Sequence, residues 1–285
     1  MARKHSNKIT KKRQNKSKKI QFGGKIKDVK FISIVLDDRD SKYDYFKTQQ
    51  KKLKSMDIDL KKISGIDLRN FDTRILTLIP NLNAFIKNNE GEFGNNYYTK
   101  YQDEIIDRNN LGSLGCALSH IYVYKNIINN NIPYSVILEE DAIIYDEFDK
   151  KLQKVLNNLP ENWDIVFLGM SCNYSHDDRC KDNDDMKCIG NNIYTIKYIY
   201  GTYGYLINLK GAKKIMNNIY PIWWHLDTLI SNLNVQKILN IYTVIPNIVF
   251  HPGNFSISSK NYHMHNDYTS YDSAIQSNDI NITKW

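Results

Sequence analysis

Apolar residues in this chain fall into short runs that alternate with stretches of helical spacing. Residues 29–36 (VKFISIVL) are a nearly unbroken apolar run and predict a buried strand. The run stops at Asp37-Asp-Arg-Asp-Ser41, a polar turn suited to opening a helix. Tyr45, Phe46, Gln49, Leu53 and Met56 then share one helical face, and residues 60–66 predict a second strand. Strand, helix, strand is the signature of an α/β sandwich with a mainly parallel sheet. In such sheets ligands bind at the carboxyl ends of the strands, where residues 37–42 lie.

Residues 67–108 read as a short helix and an exposed loop. A clear helix follows, with Leu114, Ala117, Leu118, Ile121, Tyr124 and Ile128 on one face and Ser113 as its predicted cap. Val136-Ile-Leu138 predicts a buried strand that ends in three acids, Glu139, Glu140 and Asp141. A helix over 148–159 buries Leu152, Val155, Leu156 and Leu159 and closes at Pro160. Residues 163–169 predict another strand, 172–192 a polar surface loop, and 193–208 two strands joined near Gly201. Helices are expected from Gly211 and over 226–233, then a strand over 238–250 with Pro246 at an edge or bulge. His251-Pro-Gly253 is a sharp stop. The expected organisation is a disordered basic arm (1–28), one catalytic-type domain (29–253) and a polar extension (254–285).

Charge changes this picture at one end only. Of 39 Lys and Arg, twelve lie in the first 30 residues against a single acid, so the rest is slightly acidic, with 27 basic and 30 acidic residues. An arm of that composition stays unfolded and is drawn to nucleic acid, an anionic membrane surface or an acidic partner, or simply solubilises the chain. No apolar run approaches the roughly 18 residues of a membrane span. The arm also lacks the apolar core of a secretory signal, so an intracellular, cytoplasmic protein is expected. The Asn-, Ile-, Lys- and Tyr-rich composition suggests an A+T-rich genome, bacterial, protist or viral, and hence the producing cell or a virus-infected host. Cys172, Cys180 and Cys188, with His176 among them, fit no tight zinc spacing, and Cys116 reads as a core residue.

Three carboxylates at a strand mouth repel one another unless a cation sits among them, and oxygen ligands suit Mn²⁺ or Mg²⁺. A solvated strand end is the alternative. No Gly-rich phosphate loop and no Gly-x-Ser-x-Gly or Cys/His nucleophile arrangement is present.

Four blocks, in order, resemble glycosyltransferase family 25: Leu111-Gly-Ser-Leu-Gly-Cys-Ala-Leu-Ser-His120, Val136-Ile-Leu-Glu-Glu-Asp141, Trp163-Asp-Ile-Val-Phe-Leu-Gly169 and Gly201-Thr-Tyr-Gly-Tyr-Leu-Ile-Asn-Leu-Lys-Gly-Ala-Lys213. That family includes bacterial lipooligosaccharide galactosyltransferases and collagen hydroxylysine galactosyltransferases. The resemblance implies a GT-A-type α/β fold with a mixed, mainly parallel sheet. It also implies metal-dependent, inverting transfer of a hexose from UDP-galactose or UDP-glucose to a glycan or hydroxylysine-type acceptor. The family's acidic motif matches Glu139-Glu140-Asp141, with Asp141 as metal ligand, Glu139 as metal or donor ligand, and Glu140 standing where Asp is more usual. Arg39 and Lys42 match basic positions near the nucleotide, although Lys lacks the bidentate fork of Arg. Ser119 and His120 follow the family's Ser-His pair and are expected at the donor, and His251 resembles a metal-completing histidine. Asp227 matches an acid beyond the Gly-Ala-Lys helix and is the expected base, its alternative being a helix N-terminal charge. Asp164 reads as structural, and Trp223, Trp224 and Tyr203 as sugar-stacking or core residues. A glycosyltransferase-like scaffold without turnover and a nucleic-acid-associated protein acting through the arm are the competing functions. The acidic body speaks against the latter.

Overall fold

A computed structural model describes residues 24–36, 45–67, 74, 78, 108–171, 186–220, 222 and 224–251. Arg39, Lys42, Cys172, His176, Cys180, Trp223, most of the basic arm and the C-terminal extension lie outside the described residues. The elements, in order, are β1 (Val29–Val35), α1 (Tyr45–Lys54), β2 (Leu60–Ser64), α2 (Arg108–Asn129), β3 (Tyr134–Glu139), β4 (Ile143–Ile144), α3 (Phe148–Asn158) and β5 (Ile165–Phe167). After these come β6 (Cys188–Gly190), β7 (Ile193–Thr195), β8 (Gly204–Asn208), α4 (Leu209–Asn218), α5 (Leu226–Val235), β9 (Ile241–Val244) and β10 (Val249–Phe250).

Among the described residues, eight strands form one sheet in the order β2-β1-β3-β8-β5-β9-β7-β6, and β10 pairs with β4 in a small second sheet. The pairings leave only β8 and β7 reversed, so the sheet is mixed with most strands running one way. Its central strands read as continuous apolar runs because both faces are covered. Ile32, Ile137, Phe167 and Ile207 pack under α2, α4 and α5. Phe31, Val136, Leu138, Val166 and Leu206 point to the other face, under α1 and α3. Residues 24–28 already belong to the fold, since the Ile26 amide donates to Gln153 Oε1 (3.0 Å) on α3 and Gln153 Nε2 to the Gly24 carbonyl (2.9 Å).

Three boundaries differ from the pattern. Ser113 does not cap α2, which begins at Arg108 and runs through Gly112 and Gly115. Burial of Ala117, Leu118, Ile121, Tyr124 and Ile127 outweighs the low helix propensity of two glycines. α4 starts before Gly211, capped by Asn208, whose side-chain oxygen accepts from the Gly211 amide at 2.7 Å. The run 238–250 is two strands in two sheets, with Pro246 in the turn between β9 and β10. Proline has no amide hydrogen to continue a ladder. The segments either side of Gly201 also do not pair with each other: β7 lies on β9, and β8 lies between β3 and β5. The connection 196–203 therefore runs from the start of β9, beside which β7 ends, to the carboxyl end of β3, where β8 begins.

Candidate active site

The acidic turn hangs from the end of β3. Gln49, buried on α1, holds it in shape: its amide nitrogen donates to the carbonyls of Glu139 (2.7 Å), Glu140 (3.0 Å) and Ala142 (2.9 Å). Its amide oxygen accepts from Ser33 Oγ on β1 at 2.9 Å. Because the backbone turns here, the three acids point in three directions.

Glu139 turns toward α2. Its Oε1 accepts from Thr202 Oγ1 at 2.6 Å and lies 3.2 Å from His120 Nε2 and 4.0 Å from Cys116 Sγ. Behind His120, Nδ1 meets the Tyr205 hydroxyl at 2.7 Å, which meets the Tyr124 hydroxyl at 2.6 Å. In the neutral ring, Nε2–H donates to Glu139 and Nδ1 accepts from Tyr205. Burial works to raise the Glu139 carboxyl, yet the hydrogen bond and charge of His120, then Thr202 and His251, hold it below its usual value. Burial pushes the Cys116 thiol well up, and the carboxylates of Glu139, Asp227 and Asp141 push the same way.

Glu140 turns back to β1, where Oε2 accepts the Leu36 amide at 2.8 Å. Asp141 is buried, its Oδ2 lies 3.0 Å from His251 Nε2, and its Oδ1 has no hydrogen-bond partner among the described residues. His251 reaches Asp141 because β10 crosses closely over two glycines. A Cβ on Gly169 would collide with the Val249 carbonyl oxygen, and one on Gly204 would press on the Val249 side chain.

Asp227 lies in the first turn of α5, as its helix-terminal alternative requires. Its Oδ1 accepts from the Thr228 amide (2.7 Å) and its Oδ2 from the Gly201 amide (2.9 Å). Gly201 has φ +88°, a left-handed conformation that glycine adopts without strain. Asp227 thereby also fixes the loop that delivers Thr202 to Glu139. Trp224, 40% exposed, stands just ahead of α5.

Of the expected site residues, the structure brings together His120, Glu139, Asp141 and His251, with Asp227, at the start of α5, holding the Gly201 loop that borders them. Ser119 faces elsewhere: its hydroxyl donates to the Gly115 carbonyl and accepts the Ile66 amide, both at 2.7 Å, tying the end of β2 to α2. Glu139 engages Thr202 and His120, while Asp141 and His251 form the pair suited to a metal. Sequence reasoning passed over Gln49, Thr202, Tyr205 and the placement of Cys116. Gln49 carried a signal as a polar residue on an otherwise apolar helical stripe, and Cys116, Thr202 and Tyr205 as members of the quoted blocks. Asp164 is structural as expected. It is fully buried, accepting from Lys214 Nζ (2.5 Å) and from the Asn240 amide (2.9 Å).

The family described as glycosyltransferase family 25 (LPS biosynthesis protein) matches residues 28–230. The chain is 30% identical to procollagen galactosyltransferase 2 of Homo sapiens over 110 residues, 37% of this chain and 16% of that protein. It is 22% identical to probable inactive glycosyltransferase 25 family member 3 of Rattus norvegicus over 166 residues, 56% of this chain and 25% of that protein. The matched stretches thus span a quarter or less of these relatives' length. A solved glycosyltransferase involved in the glycosylation of the major capsid of PBCV-1 aligns with 80% of this chain and 94% of its own, at 8% identity and a TM-score of 0.38. The mixed α/β fold implied by the four sequence blocks stands. The family match covers well over half of the 285 residues and every site element up to Asp227, leaving only His251 beyond it, and the chain belongs to glycosyltransferase family 25.

Proposed function

We propose that this chain is a metal-dependent, inverting hexosyltransferase, moving galactose or glucose from a UDP-sugar to a hydroxyl of a glycan or hydroxylysine-type acceptor. One observation carries the reading: Asp141 is buried at a strand end, with Oδ1 unpartnered among the described residues and Oδ2 3.0 Å from His251 Nε2. An unpartnered buried carboxylate oxygen is costly. A carboxylate and an imidazole about 3 Å apart fit adjacent ligands of one ion with bonds of roughly 2.1 Å. Mn²⁺ accepts both ligand types, and Asp141 and His251 are the residues that would hold it. Bound there, the ion supplies positive charge against the charge that grows on the leaving diphosphate.

The remaining roles belong to the chain. Gln49 and Glu140 keep the acidic turn fixed against β1. Asp227 takes the proton of the acceptor hydroxyl at its carboxylate as the new glycosidic bond forms. Thr228 donates to Oδ1 from its amide (2.7 Å) and its hydroxyl (3.4 Å), and the Gly201 amide donates to Oδ2, which leaves Oδ2 the oxygen with a second lone pair to take the proton. Trp224 offers an aromatic face to an acceptor sugar. A binding protein without turnover is the second reading, favoured by the likeness to a relative named probable inactive and by the engagement of both Asp227 oxygens with backbone amides.

UDP titration with and without Mn²⁺ tests the first reading. Binding is expected to tighten on the order of tenfold or more with the ion, and Asp141→Asn to abolish that gain. Metal-independent binding that is unchanged in the variant overturns it. A panel of UDP-hexoses and acceptors then separates the two readings. Turnover that Asp227→Asn removes while UDP binding persists supports the enzyme, and metal-dependent binding without any turnover supports the scaffold.

A further inference from the structure

Cys116, His120 and Glu139 carry no step above, yet they converge. Cys116 and His120 are one turn apart on α2 and present Sγ and Nε2 to the same side, where Glu139 at the end of β3 completes a set whose ligand atoms all lie within 4.8 Å of one another. A tetrahedral ion with bonds of about 2.0 Å to nitrogen and oxygen and about 2.3 Å to sulfur sets its ligands roughly 3.3 to 3.5 Å apart. Here Nε2 and Oε1 are 3.2 Å apart, Sγ and Oε1 4.0 Å apart, and all three atoms within 4.8 Å, so closure asks the thiol to swing toward the other two ligands.

The surroundings suit a ligating imidazole. Such a ring needs its second nitrogen held by a partner. His120 Nδ1 has the Tyr205 hydroxyl at 2.7 Å, backed by Tyr124. A hydroxyl donates or accepts, so it serves the Nδ1–H tautomer as well as the other. Thiolate and carboxylate together neutralise a divalent ion, the thiol proton leaving to solvent as the metal–sulfur bond forms. A sulfur ligand also separates this set from the oxygen–nitrogen pair Asp141 and His251, since softer ions follow thiolate.

We propose that Cys116, His120 and Glu139 form a binding site for a thiophilic divalent cation of the zinc class, distinct from the Asp141–His251 pair. Cobalt(II) is the probe, added to the reduced 285-residue chain carrying C172S/C180S/C188S, in which Cys116 is the remaining thiol. A thiolate-to-cobalt charge-transfer band is expected, displaced by one equivalent of Zn²⁺. The band is expected to vanish when C116S is added, and His120→Ala in the same background to weaken Co²⁺ binding on the order of tenfold or more. Asp141→Asn is expected to keep the band. No band in the Cys116-only chain, a band that outlasts C116S, or a band lost with Asp141→Asn overturns the proposal. The charge-transfer band reports this site alone, whereas Mn²⁺-dependent UDP binding reports the Asp141–His251 reading, so either can fail without the other.

Discussion

Glu139 is a half-buried carboxyl kept charged by its neighbours. Burial alone would raise it, and His120, Thr202 and His251 outweigh that. Its folded value therefore lies below the usual 4.5, and between the two values the unfolded chain binds more protons. The stability it contributes is present above pH 4.5 and is lost as pH falls through the lowered folded value. Urea midpoints taken across that acid range are expected to fall in the native chain and to fall less steeply in Glu139→Gln. Parallel slopes would show that the carboxyl gains nothing from folding. Glu140 plays a different part, because its extra methylene relative to Asp lets the carboxylate span to the Leu36 amide. The departure from the family's usual Asp thus has a structural consequence at the end of β1.

At the scale of elements, the site is a set of crossings. α1 meets the acidic turn through one side chain, since Gln49 serves three carbonyls and the Ser33 hydroxyl. Gln49→Leu keeps the size and strands those groups, so a loss of about 1–3 kcal/mol is expected in chemical denaturation. Mn²⁺-dependent UDP binding should weaken alongside it. A variant as stable as the native chain would mean that water replaces the glutamine. β10 reaches the site only because Gly169 leaves room for the Val249 backbone. Gly169→Ala is expected to displace β10 and with it His251, weakening Mn²⁺-dependent UDP binding on the order of tenfold. Undiminished metal dependence in that variant would place His251 outside the site.

At the scale of the molecule, the sheet is pinned at its opposite end by a second buried acid. Asp164 joins α4 through Lys214 and the start of β9 through the Asn240 amide, while its carbonyl accepts the Asn208 amide at 3.2 Å. Gly211 is required there, since a Cβ would sit 2.6 Å from the Asp164 carbonyl oxygen. Removing one partner of a buried ion pair costs about 3–5 kcal/mol. Lys214 is a quarter exposed, so Asp164→Ala is expected near the lower end, at about 3 kcal/mol by urea unfolding. Metal-dependent UDP affinity should not change, because the carboxyl ends of β1 and β3 lie at the far edge of those strands. A selective loss of UDP binding at native stability would contradict this division. Among the described residues no helix is long and apolar enough to cross a membrane.

The apolar runs and stripes determined the layers, because strands covered on both faces must be apolar throughout and helices on one face need only a stripe. β1 and β3 are strands for that reason, while the edge strand β2 exposes Lys61 and Lys62, and the break from Leu138 to Glu139-Glu140-Asp141 marks the site's end of the sheet. The four family blocks needed no tertiary information either. Tertiary structure alone decided what each acid does. Three neighbours in sequence face α2, β1 and β10, since a turn pinned by Gln49 sends successive side chains apart. It also decided that α2 begins before Ser113, where core burial outweighs glycine's propensity. It split the run 238–250 into two strands in two sheets, so that the last residue described, His251, returns to Asp141. Distant pairings of this kind leave no periodicity in the chain, because they depend on which elements cross and on the small residues that let them.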